Sequence, residues 1–243
     1  MKSNEEWRYW GKQDPLWSVA AWPGKEVGGN SPWTPEQFLA LGESDFRDVF
    51  RQWNHYGVSP GTCVEIGCGA GRMTAQLVSV FRSVVALDVS PDQIDLAHRL
   101  LGPRGDAVQF YQVDAPAIPL PTATCDAMFS CHVFQHFSRF AGVTAYLRES
   151  FRVLRSGGTV CFHIPVPGAH RGAAVSRFRL GLHNASVAVR RWLGRRRLME
   201  YHRYAPPMIF ETLRAIGYRD AELRLFDMTS NGDAHSFFFA RRP

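Results

Sequence analysis

No part of this 243-residue chain holds the run of ~18 apolar residues that a membrane-spanning helix requires. The opening Met1-Lys2-Ser3-Asn4-Glu5-Glu6 lacks the apolar core of a secretory leader. Cysteine is scarce, with five residues at 63, 68, 125, 131 and 161 and no C-x-x-C pair. An odd number of scattered thiols, mostly in or beside apolar strand-like runs, leads us to expect reduced cysteines and a cytoplasmic address. No H-x-x-x-H and no paired acids stand at ligand spacing, so a metal centre is not expected. Internal repeats and low-complexity tracts are also missing, and no domain boundary is visible. Residues 1–243 are therefore expected to form one domain.

What is present is a sizeable core: 45% of the residues are hydrophobic and 13% aromatic. The net charge of +6 is unevenly spread. Nine arginines and one glutamate fall within 171–203; of the chain's 28 basic and 22 acidic residues, that leaves 19 basic against 21 acidic elsewhere. The whole basic excess comes from one segment.

The stretch Thr62-Cys63-Val64-Glu65-Ile66-Gly67-Cys68-Gly69-Ala70-Gly71 organises the rest. It reads as a buried strand, a glycine-rich turn and a helix beginning at Arg72-Met73-Thr74. Glycines at alternate positions let the backbone pass close to a ligand, and the first helical amides point at the same spot. A second apolar run, Val84-Val85-Ala86-Leu87, ends in Asp88, where a ribose diol would be held. The dinucleotide fingerprint places a third glycine three positions after the second. Here that position is Arg72, and the glycine falls one residue early, which disfavours a nicotinamide enzyme.

The pattern E-x-G-x-G-x-G followed by an acid at the end of the next strand resembles class I S-adenosylmethionine (SAM)-dependent methyltransferases. The L-R-S-G-G-T pattern of residues 154–159 supports the same resemblance. It covers about residues 58–164 by motif and 206–241 by pattern. It implies an α/β fold: a doubly wound, Rossmann-like, mostly parallel seven-stranded sheet. It also implies SAM as cofactor, S-adenosylhomocysteine as product and no metal. On this resemblance Glu65, Gly67, Cys68, Gly69 and Gly71 face the methionine part of SAM. Asp88 takes the ribose hydroxyls, with Val89 and Gln93 beside it, Asp114 and Ala115 read the adenine edge, and Ser130 lies near the transferring methyl. A domain of the same type with an empty turn is the bland alternative.

The remaining elements follow from local signals. Residues 1–33 carry five tryptophans without clear periodicity, expected as a clasp or a lid. Thr34-Pro35-Glu36-Gln37 marks a capped helix start, a second helix is expected over 44–56, and Gly57 ends it. Both helices are expected on the open edge of the sheet. Ser90 and Pro91 start a helix, Val108–Val113 and Cys125–Ser130 are strands, and a helix follows over Val143–Leu154. Ser156-Gly157-Gly158 should break that helix before a strand at Thr159–Ile164. A helix with Ile209, Leu213 and Ile216 ends at Gly217, and Leu223–Met228 and Ser236–Ala240 form an antiparallel pair.

A sulfonium methyl is already activated, so alignment and water exclusion carry much of the catalysis, with a base needed only if the acceptor must lose a proton. His132 and His163, at strand ends on the cofactor edge, are the candidate bases; packing against a backbone carbonyl is their plain alternative. His136, Arg203 and Tyr204 are candidate substrate contacts. Cys131 lacks the surroundings of a nucleophile and is expected as a packed thiol. Residues 165–205, with a helix expected near Ala185–Leu193, should cap the acceptor site. Their arginines suit an acidic or lipid-linked small-molecule or glycan acceptor, or a membrane surface. The expected reaction is methyl transfer to a hydroxyl or amine. An RNA methyltransferase fits the basic segment, but Ser130-Cys131-His132-Val133 lacks the N-P-P-aromatic pattern of base-amino methylation, so nucleic acid is not the expected partner. A non-catalytic SAM-binding module is the second alternative. The oligomeric state is not legible.

Overall fold

The computed structural model describes residues 2–167, 199–227 and 234–243, with four helical positions, 182, 185, 186 and 189, between the first two stretches. Its centre is a seven-stranded sheet of β1 (Thr62–Ile66), β2 (Ser83–Asp88), β3 (Val108–Gln112), β4 (Cys125–Ser130), β5 (Leu154–His163), β6 (Arg219–Asp227) and β7 (Ala234–Arg241). The strand order is β3-β2-β1-β4-β5-β7-β6. β1 to β5 pair in parallel, and β7 pairs antiparallel with both β5 and β6. The expected doubly wound α/β architecture is thus present.

Parallel strands covered on both faces need apolar side chains on both faces, and the sequence supplies them. Val64, Ile66, Val85, Leu87, Met128, Val160, Phe162 and Phe238 form one face. They pack against α6 (Phe140–Val153) and α7 (Pro206–Ile216) through Leu147, Val153, Ile209 and Leu213. Cys63, Val84, Ala86, Ala127, Phe129, Cys161, Phe237 and Phe239 form the other. That face is covered by α3 (Pro35–Tyr56), the one-turn α4 (Thr74–Leu77) and α5 (Pro91–Leu101).

Several boundaries differ from the sequence reading. α3 is one continuous helix, not two, and it lies across a face of the sheet rather than along its edge. Thr34 and Gly57 do cap it: the Gln37 amide donates to Thr34 Oγ1 at 3.3 Å, and Gly57 takes a left-handed conformation. The Gln37 side chain accepts from Lys25 Nζ at 2.9 Å. Gly42, between the two expected helices, is a contact point inside the one helix, since a Cβ there would stand 2.4 Å from the Arg72 carbonyl oxygen. Ser156-Gly157-Gly158 belongs to β5, because Arg242 extends the ladder by exchanging 2.8 Å bonds with Gly157 and Gly158. Residues 1–33 hold two helices, α1 (Lys2–Gln13) and α2 (Pro15–Val19), and the tryptophans of this stretch pair with one another, with Trp7 also meeting His136 of the domain. The helix expected near Ala185–Leu193, and Arg195, Arg196 and Arg197, fall outside the described residues except at 185, 186 and 189.

Trp53 fastens α3 to the sheet. It is fully buried, stacks on Phe129 with 5.8 Å between centroids, and donates from Nε1 to Thr159 Oγ1 at 2.9 Å. Trp53→Ala is expected to cost ~3–5 kcal/mol through cavity formation and an unpaired hydroxyl. Trp53→Phe, which keeps most of the volume, should cost less. Urea unfolding of both variants checks the order; equal midpoints in the two would show that the ring volume does not matter.

Candidate cofactor and acceptor site

The turn after β1 is held by its own amides. Gly67 N and Cys68 N both donate to the Leu87 carbonyl, at 2.7 and 3.0 Å. Gly69 N donates to Asp88 Oδ2 at 2.8 Å, and Ser90 N donates to Asp88 Oδ1 at 2.9 Å. Gly67 and Gly69 have φ of +74° and +52°. Side chains there would be strained and would also strike neighbours: a Cβ would lie 2.2 Å from Val133 at Gly67 and 2.7 Å from Val19 at Gly69. Gly71 packs against Ala97 of α5, so its backbone is committed to the fold.

Asp88 uses one lone pair of each oxygen on these amides. A carboxylate has about four acceptor positions, so it keeps capacity for further donors. Burial pushes its pKa up, and the amides of Ser90, Gly69 and Val89 oppose that shift. Glu65 is almost fully buried and accepts from Thr74 Oγ1 at 2.6 Å. Burial raises its pKa to about 7, against the lowering effect of the Thr74 hydroxyl. A cation beside Glu65 would restore its charge. Ser130 Oγ donates to the Ile66 carbonyl at 3.0 Å, tying the tips of β4 and β1.

α1 lies along this edge. Arg8 Nε donates to the Val89 carbonyl at 3.0 Å and its guanidinium pairs with the Asp114 carboxylate. Asn4 Nδ2 donates to the Asp114 carbonyl at 2.8 Å. The Ala115 carbonyl accepts from Tyr146 Oη at 3.4 Å. Gln93 is buried and gives Nε2 to Pro15 O and Ser18 Oγ, at 3.0 and 2.9 Å, so its amide secures α2. Sequence reasoning placed Gln93 beside a ribose and did not anticipate Asn4 or Arg8, because α1 carries no signal that says which strand tips it meets.

At the other end of the edge, His132 follows β4 and His163 ends β5, with ring centroids 4.4 Å apart. Burial and neighbouring cationic or titratable groups, His163 and Arg72 foremost, hold the pKa of His132 well below the ordinary histidine range. His235, absent from the sequence-based candidates, joins them at 4.9 and 5.1 Å. No local spacing marks it; the antiparallel β7 delivers it to the tips of the parallel strands. Burial pushes the Cys131 thiol up to about 12, which suits a packed thiol rather than a nucleophile.

His136, Arg203 and Tyr204 gather nearby. His136 Nδ1 lies 2.7 Å from the Glu200 carbonyl, its ring meets Trp7 edge-on at 4.8 Å, and burial lowers its pKa to about 4. The Arg203 guanidinium lies 5.9 Å from the Tyr201 ring. Tyr204 Oη donates to the Phe137 carbonyl at 2.7 Å, which anchors the returning chain.

A family profile described as a methyltransferase domain matches residues 64–162. These residues form a methyltransferase domain. The chain is 33% identical to malonyl-acyl-carrier-protein O-methyltransferase of Serratia marcescens over 125 residues, 51% of this chain and 46% of that protein. It spans about half the length of the first curated relatives it matches. Two solved structures show the same fold. The methyltransferase chain solved with the Haloferax volcanii Trm112 activator has a TM-score of 0.64 and is 15% identical, over 95% of this chain and 98% of that one. Phosphoethanolamine N-methyltransferase 2 of Haemonchus contortus has a TM-score of 0.59 and is 17% identical, over 86% of this chain and 57% of that one.

Within the methyltransferase domain, the raised pKa of Glu65 yields a signed prediction. The folded carboxyl holds its proton up to about pH 7, against 4.5 for a glutamate carboxyl in water. Folding therefore carries no penalty from this group below about pH 4.5, and a penalty that grows as pH rises and is complete above about 7. Glu65→Gln should stabilise the ligand-free protein at pH 8 by about 1–3 kcal/mol and leave it little changed near pH 4.5. Thermal melts at both pH values check this, and an equal effect at both would remove the electrostatic cause.

Proposed function

We propose that this methyltransferase domain transfers the methyl group of SAM to a hydroxyl or amine of a small-molecule, glycan or lipid-linked acceptor, releasing S-adenosylhomocysteine. The observation that carries the cofactor assignment is the Asp88 carboxylate, braced by the Gly69 and Ser90 amides at the tip of β2 and keeping capacity for two hydroxyl donors. When bound, SAM supplies an activated sulfonium methyl group. Asp88 would hold the ribose diol, and Glu65 would meet the ammonium of the methionine part, a cation that offsets the cost of its buried charge. The Gly67–Gly71 backbone would leave room for that part. Asp114 and Ala115 would border the adenine, with α1 excluding water from the same edge through Asn4 and Arg8. The Haemonchus enzyme was solved with SAM, which supports this cofactor for a chain of the same fold.

The acceptor would enter beside His132 and His163. An oxygen acceptor must lose its proton as the new bond forms, and histidines held neutral by burial can receive it. The acceptor class rests on two supports. The Serratia relative is named for action on a malonyl group carried by an acyl-carrier protein, and the arginine-rich segment would suit such an acidic partner or an anionic lipid surface.

Two variants test the reading. Asp88→Ala should weaken SAM binding by about 1.5–3 kcal/mol, the worth of a charge-assisted bond pair, when calorimetry compares it with the parent. Unchanged affinity would overturn the ribose assignment. His132→Ala should lower turnover about 10²–10⁴-fold with little change in SAM affinity. Labelled SAM offered with acidic, glycan and lipid-linked acceptors provides the assay, and near-full turnover in the variant would leave alignment as the whole of the catalysis.

A further inference from the structure

Three histidines from separate parts of the sequence converge at the tips of β4, β5 and β7. His163 and Phe237 are register partners across β5 and β7, and Ile164 N donates to Ser236 O at 3.1 Å, so His235 lies one strand step beyond His163 on the same side of the sheet. His132 reaches the pair by a turn out of β4 with φ of +60°. A left-handed conformation is strained at a residue with a Cβ, and such strain persists where the surrounding structure fixes a side chain in place. Here it directs the ring toward the other two. His163 and His235 are buried, at 2% and 7% exposure, and one ring nitrogen from each of the three lies within 4.8 Å of the others.

We propose that His132, His163 and His235 form a three-nitrogen binding site for a first-row divalent cation, with Zn²⁺ as the best fit. Neutral imidazole is the ligating form, and three imidazoles with one position left for a non-protein ligand are a known zinc arrangement. Zinc–nitrogen bonds of ~2.0–2.1 Å place ligand nitrogens about 3.4 Å apart, so closure needs ring movements of about 1 Å. The surrounding charges permit it. Arg72, which acts on His132, is paired with the buried Asp45 carboxylate, and His136 has its pKa lowered to about 4 and so is neutral near pH 7. The expectation from sequence that no metal ligands exist rested on local spacing, and β7 assembles a donor set that local spacing does not contain.

The role follows from position and rests on the methyl-transfer reading; the binding itself does not. An acceptor hydroxyl in the fourth position would become more acidic, as water does on zinc. Its proton would leave to solvent, the oxygen–methyl bond would form, and the sulfur–methyl bond would break to leave a neutral thioether. With the ion bound, the lone pairs of His132 and His163 that would otherwise take the proton hold the ion instead; without it, they take the proton as described above.

The test uses the full chain without an affinity tag, freed of metal. Zn²⁺ titration by calorimetry and Co²⁺ titration by visible absorption should each give about one ion per chain, with the intense Co²⁺ bands of low coordination number. His132→Ala, His163→Ala and His235→Ala should each weaken binding more than about 100-fold, whereas His98→Ala, on the exposed side of α5, should bind like the parent. Parent protein that takes up no ion overturns the proposal without reference to any variant. Parent protein that binds while all three folded variants bind equally well also overturns it. SAM calorimetry on the same samples keeps this result apart from the cofactor reading, since a chain that binds SAM but no Zn²⁺ loses only the metal site.

Discussion

The Asp88 carboxylate joins the parts of this site that must not move relative to one another. One oxygen fixes the glycine turn through Gly69, and the other fixes the start of α5 through Ser90. The strand that carries Asp88 also takes the Gly67 and Cys68 amides on its Leu87 carbonyl. The turn, the second strand and the helix that follows are therefore registered by a few short bonds, before any ligand contributes. Preorganisation of this kind reduces the ordering cost that a bound cofactor would otherwise meet.

Burial sets the electrostatics around that point. Glu65 and Asp88 both have raised pKa values because desolvation disfavours their charges, and the Asp88 charge pushes Glu65 further the same way. The buried Asp45–Arg72 pair lies in the same region and links α3 to the turn, with Arg72 also in backbone contact at Gly42. Such a pair is costly to break because either partner alone would be an uncompensated buried charge. The ligand-free edge thus holds two destabilised acids, which suits an edge built to meet a cationic, hydroxyl-bearing ligand.

Much of the core was legible from residues alone. The apolar runs at 62–66, 83–88 and 125–130 are strands because both faces are covered, and Ser90-Pro91 and Thr34-Pro35 start helices through local hydrogen bonds that need no partner element. The misreadings share a cause. The expected separation of two helices before residue 44 and the expected break at Ser156-Gly157-Gly158 both give way to distant contacts, of Gly42 with Arg72 and of Gly157 and Gly158 with Arg242. The aromatic N-terminal stretch has no periodic signal because its tryptophans pack on one another as well as, through Trp7, on His136 of the domain.

The sequence by itself determined the sheet's central strands, the glycine turn and the acid at the tip of β2, since each is marked by residue types within one short run: apolar residues for strands covered on both faces, glycines for the turn and a carboxylate at the strand end. Only the tertiary structure decided that α1 reaches Asp114 and Val89, that Gln93 holds α2, and that His235 stands beside His132 and His163. Those contacts join residues 72 to 110 positions apart, except for the 31 between His132 and His163. Spacing of that order leaves no periodic trace in the chain. It is set by the order in which strands enter the sheet and by the reversal of β7.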